Sequence, residues 1–148
     1  MKKVFQTIVS PNHGNCMQAV VASLFDLELE QVPNFIELGD RWYSAIHGFF
    51  KDRGYGFNNI NLHAWVDTQK LKEVARRDGG IEGYLYGVVK SQTFEGGTHA
   101  VVVDTDLNIV HDPNPNQKAL SLKPEDVIAI QATKNFCISE NGKIRVRR

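Results

Sequence analysis

The chain has no excess of charge. Lys and Arg total 17, Asp and Glu total 17, and the formal net charge is zero. That balance argues against the broad electrostatic grip that nucleic-acid binders use. Only the last six residues, Lys143 to Arg148, are locally basic, and they read as a solvated terminus. Cysteine is equally scarce: Cys16 and Cys137 alone do not make a disulfide framework. No paired Cys-x-x-Cys and no His-Glu-x-x-His spacing occurs, so no metal and no cofactor is expected. No apolar run approaches the length of a membrane span. Met1-Lys2-Lys3-Val4-Phe5-Gln6-Thr7 carries the charges of a signal peptide, but Gln6, Thr7, Ser10 and Pro11 break up the apolar stretch one needs. The expectation is a cytoplasmic protein with free thiols and with neither membrane nor nucleic acid as a partner. Internal repeats and linkers are also missing, so the 148 residues read as one domain with a real core.

What is present divides into a helical half and a strand half. Val4 to Val9 reads as extended, and Pro11 and Gly14 force a turn. Asn15 is placed to cap a helix from Cys16 to about Phe25, with Gln18 three residues on as in a capping box. That helix is apolar nearly all round, so it should be central and buried. A second helix is expected from about Asp40 to Arg53, with Trp42, Ala45, Ile46, Phe49 and Phe50 as its apolar stripe and Gly54 as its stop. Asp67 caps a third over roughly Thr68 to Arg77, closed by Gly79-Gly80. After Gly80 the pattern changes to period two. Gly83 to Lys90, Thr98 to Asp104, Leu107 to Asp112 and Val127 to Thr133 read as strands. Asn141-Gly142 signals a further hairpin between Phe136–Glu140 and Lys143–Val146. Helices first and an antiparallel sheet second is an α+β order.

Chemistry concentrates at three remote places. Cys16 lies at a helix start, where the macrodipole and free backbone N–H groups favour the reactive thiolate. His99 opens an apolar strand, and Asp112 ends the next one before Pro113. A hairpin joins the two strands. A tight loop at Thr105-Asp106, or a four-residue loop from Asp104 to Leu107, pairs Val103 with Asn108 and Val101 with Val110. His99 then stands opposite Asp112, at a spacing that suits an imidazole–carboxylate hydrogen bond. A three-residue loop with a bulge would shift that register. In this scheme Cys16 is the nucleophile, His99 moves its proton, and Asp112 orients the ring. An oxyanion donor is also needed besides the Cys16 backbone N–H. Asn12 and Asn15 are the nearest side-chain amides, with Gln6 further back; Asn12 is favoured because Asn15 is expected to be engaged as a cap.

Gly14-Asn15-Cys16-Met17-Gln18-Ala19, His99-Ala100-Val101-Val102-Val103 and His111-Asp112-Pro113 together resemble the papain-like cysteine peptidase superfamily. The nearest likeness is to the bacteriocin-processing peptidase domains of peptide exporters. The resemblance implies a papain-like fold, in which the nucleophile helix packs on an antiparallel sheet carrying His99 and Asp112. It implies a peptidase or amidase acting on a peptide, a protein or a small amide. Ser10 stands where such peptidases usually carry an oxyanion glutamine, six residues before the nucleophile. A second resemblance lies in Leu62-His63-Ala64-Trp65-Val66, which is similar to the His-Ala-Trp of transglutaminase-like acyltransferases and offers His63 as another base. Asp78 is followed there by Gly79 rather than by proline. A papain-like fold that binds and regulates a protein partner without catalysis is the remaining expectation.

Overall fold

The computed structural model describes residues 1–10, 14–61, 66–134, 136–138 and 144–146. Within them the chain is α+β. The helices are α1 (Cys16–Leu24), α2 (Trp42–Lys51) and α3 (Thr68–Asp78). The strands are β1 (Asn58–Asn61), β2 (Tyr84–Lys90), β3 (Thr98–Asp104), β4 (Ile109–His111) and β5 (Val127–Ala132), with a short pair β6 (Phe136–Ile138) and β7 (Ile144–Val146). β1 to β5 form one antiparallel sheet in the order β1-β5-β2-β3-β4, and β6 pairs with β7 separately. The turn expected at Asn141-Gly142 lies outside the described residues.

Both faces of the sheet are covered. On one side Leu71, Val74 and Ala75 of α3 pack with Leu85, Val89, Val101, Val103 and Ile130. On the other, Val20, Val21 and Leu24 of α1 pack with Ile46, Phe50, Tyr86, Ala100 and Val102. The odd and even residues of β3 thus bury themselves in two different cores, which is why Ala100–Val103 is an unbroken apolar run. α1 sits on the central strands, as its all-round apolarity predicts.

The start and stop signals act mostly as expected. The Asp67 carboxylate accepts the Lys70 N–H at the start of α3, and Gly79 closes it in the left-handed conformation. α2 is shorter than the Asp40–Arg53 expectation. A 3₁₀ segment, Phe35–Arg41, precedes it and breaks at Gly39. Trp42 is 39% exposed rather than part of the buried stripe, which Ile46 and Phe50 carry. The residues from Val4 to Val9 form no strand. Side chains hold them instead: Ser23 Oγ accepts the Val4 N–H, and the Gln6 N–H donates to Pro113 O at 2.9 Å.

The β3–β4 hairpin departs from the expected register. Asp104 N–H bonds Asn108 O, leaving a three-residue loop, and Leu107 takes φ 64°. Asp104 also accepts the backbone N–H groups of Asp106 and Asn108, which locks this turn. Leu107 tolerates the left-handed conformation because its side chain is fully buried in the α3-side core. A second one-residue shift follows at a bulge, where Val103 pairs with Ile109 but Val102 with His111. His99 and Asp112 are therefore not directly opposed. Two successive slips restore parity, and continuing the ladder sets Asp112 level with Val101, diagonal to His99 on the same face.

Candidate functional site

The two residues before α1, Gly14 and Asn15, are held tightly where the chain enters the helix at Cys16. Gly14 is buried against backbone: a Cβ there would stand 3.0 Å from Ser10 O and 3.3 Å from Ile8 O. Asn15 then turns its side chain backwards. Its Oδ1 accepts the N–H groups of Thr7 and Ile8, and its Nδ2 donates to Thr7 Oγ1 and Gln18 Oε1. This corrects the expected capping role, since Asn15 makes no side-chain cap bond to α1. It also removes Asn15 as an oxyanion donor: both amide hydrogens are committed, and the residue is 2% exposed. Asn12 and His13 lie outside the described residues, as does His63 of the transglutaminase-like motif. Cys16 itself is the first residue of α1, half-buried, with its sulfur free.

His99 and Asp112 meet at 2.6 Å, from ring Nε2 to Oδ1. A carboxylate can only accept, so Nε2 carries the proton and Nδ1 is left for the sulfur. The carboxylate is held from three sides. Oδ1 also accepts the Asn114 N–H, and Oδ2 accepts the Ala119 N–H. Burial pushes the Asp112 carboxyl upward, but the His99 bond and these two N–H groups outweigh it and hold the group below the usual carboxylate range. Burial likewise pulls His99 down. The bond to Asp112 and the nearby Cys16 outweigh that, and raise it from 6.5 to about 9. The ring is therefore protonated at neutral pH and stands between sulfur and carboxylate.

The neighbouring His111 does something else. It is fully buried, opposite Val102, and its Nε2 donates to Val4 O at 2.7 Å. Phe5 packs edge-on against the ring, 5.0 Å between centroids. Burial lowers its pKa against the smaller pull of the Val4 carbonyl. His111 thus fastens the N-terminal segment to β4, the strand that leads into Asp112.

That fastening brings in a residue that sequence proximity underrates. Gln6 is 6% exposed and lines the same cleft as Cys16 and His99. Its Nε2 donates to Ile8 O at 2.9 Å, which fixes the amide so that nitrogen faces a carbonyl, and leaves the second Nε2 hydrogen unassigned. Its position, ten residues before Cys16, gives no helical or strand periodicity to read. The signal lies only in Gln6 being the one amide in a segment otherwise apolar or hydroxylic.

The cleft is about 450 Å³. Met17, Ile36, Val88 and Ala100 give it apolar walls, and the Ser91–Gly97 loop borders it. That loop is internally tied: Ser91 N–H bonds Gly97 O, and Ser91 Oγ accepts the Thr93 and Phe94 N–H groups. The arrangement is a sulfur, a charged imidazole and an amide that line one substrate-sized groove, with a buried carboxylate behind the imidazole. No family model, curated protein or solved structure matches this chain.

Proposed function

We propose that this protein is a papain-like thiol hydrolase, a cysteine peptidase or amidase that works through Cys16, His99 and Asp112. One observation carries the reading: His99 is hydrogen bonded to Asp112 at 2.6 Å while its pKa is raised by both Asp112 and Cys16. The packing of α1 on an antiparallel sheet that bears His99 supports the papain-like comparison.

In the reaction, Cys16 Sγ attacks the carbonyl of a peptide, protein or small amide bound in the cleft. The Cys16 backbone N–H at the start of α1 and the Gln6 side-chain amide hold the oxygen as it becomes negative. His99 delivers its Nδ1 proton to the leaving nitrogen, and the C–N bond breaks to leave a thioester. A water then gives its proton to His99, attacks the thioester and releases the acid. Asp112 keeps the ring oriented and stabilises the imidazolium throughout.

Thiol reactivity tests this. Cys16 should react with iodoacetamide near neutral pH much faster than Cys137, and His99→Ala should slow Cys16. The same substitution should lower turnover of any amide substrate by about 10²–10⁴-fold. Mass spectrometry of Cys16 trapped by a panel of peptide and acyl electrophiles reads reactivity and preference together. Equal rates at the two thiols would point to a non-catalytic partner-binding protein.

A further inference from the structure

Tyr86 is the cleft group that the three-residue mechanism leaves unused. It lies on β2 opposite Val102, on the face that α1 covers. Its ring stands edge-on to Phe57, with centroids 5.5 Å apart, and the residue is 5% exposed. It lines the same groove as Cys16, His99 and Gln6. A buried phenol ordinarily donates its hydrogen to a protein acceptor. Among the described residues nothing hydrogen bonds this hydroxyl, although the rest of the side chain is well packed. A phenol that lines a cleft, and whose hydroxyl has no partner among the described residues, offers that hydroxyl to a ligand atom bound there.

We propose that the Tyr86 hydroxyl is a catalytic hydrogen-bond donor to the carbonyl oxygen of the acyl group bound at Cys16, acting beside Gln6 and the Cys16 N–H. This rests on the thiol-hydrolase reading. Burial and the nearby charge of Cys16 push the phenol well above its ordinary pKa, so it keeps its proton at neutral pH. It therefore donates without ionising, and no proton changes hands at this residue. Its contribution grows as the carbonyl oxygen gains charge, which is the condition for lowering a barrier rather than merely tightening binding.

Two reactions of the same sulfur separate this role from a structural one. p-Nitrophenyl acetate acylates a thiolate: the S–C bond forms, the carbonyl oxygen holds the electron pair transiently, and p-nitrophenolate leaves. Iodoacetamide alkylates it: the S–C bond forms, iodide leaves, and no oxygen gains charge. Tyr86→Phe removes one oxygen and keeps the ring against Phe57. The expected result is that Cys16 acylation in Tyr86→Phe slows about tenfold while alkylation keeps the wild-type rate. An unchanged acylation rate, or an equal loss in both reactions, overturns the proposal for Tyr86 and leaves the thiol-hydrolase reading standing. Wild-type Cys16 acylating no faster than Cys137 overturns both.

Discussion

Residues that look alike in the sequence carry different burdens. Asp112 and Asp78 are both buried at about 1% exposure, but only Asp112 faces an imidazole. Asp78 accepts the Thr133 N–H, the Thr133 hydroxyl, the Lys134 N–H and the Gly80 N–H, and so pins the end of α3 to the end of β5. Asp78→Ala should cost about 3 kcal/mol in a denaturant melt, because it strands several buried donors at once. Asp112→Ala should instead be read at the neighbouring ring. The His99 imidazole should titrate well below 9 in an NMR pH series, since its hydrogen-bonded carboxylate is gone. Cys16 and His99 were legible as candidates because their residue types are scarce here, Asp112 because it precedes Pro113 one hairpin later, and each sits at an element boundary. Gln6 was not. Its place in the cleft depends on a backbone bond to Pro113, a partner that no local pattern announces.

At the level of elements, local chemistry was readable and pairing was not. Thr98–Asp104 matches the strand read from period two, and Asp67 and Gly79 mark α3 as the capping rules require. The β3–β4 register depended on one loop length. Leu107 in a left-handed turn is a poor sequence choice locally and is stabilised only by burial in the distant α3-side core. Asn15 holds the N-cap position but its side chain makes no cap bond, since Thr7 and Ile8 offer its amide more bonds than the first turn of α1 does. The central sheet also contains a tight point. At Gly87 of β2 a Cβ would lie 2.8 Å from Val103 Cγ1 on the adjoining strand. Valine has little rotameric freedom in a strand. Gly87→Ala should therefore destabilise the protein by about 1–3 kcal/mol in chemical denaturation, despite the usual gain from removing a strand glycine.

For the whole molecule, the two histidines of the site region oppose each other in pH. His99 is raised to about 9 in the folded chain, against 6.5 unfolded. Its contribution to stability is fully present below 6.5 and is lost as the pH climbs through 9. His111 is lowered on folding, and so is Asp112, so each favours the folded state less as the medium turns acid. For His111 the loss begins as the pH falls through 6.5; for Asp112 it begins lower, near the ordinary carboxylate value. Thermal melts across the pH range should give a maximum near neutrality. His99→Ala should flatten the alkaline limb while leaving the acid limb in place.

The tether between residues 4–6 and 111–113 also dictates when the centre comes into being. Synthesis delivers the thiol early and the carboxylate late, and the amide of Gln6 is seated only when β4 arrives to receive it. A nascent chain emerging from the ribosome thus carries Cys16 without its imidazole and carboxylate neighbours. Under the proposed mechanism, the grouping of Cys16 with His99 and Asp112 is complete only when the two distant stretches dock, and a competent nucleophile would exist only in a finished molecule.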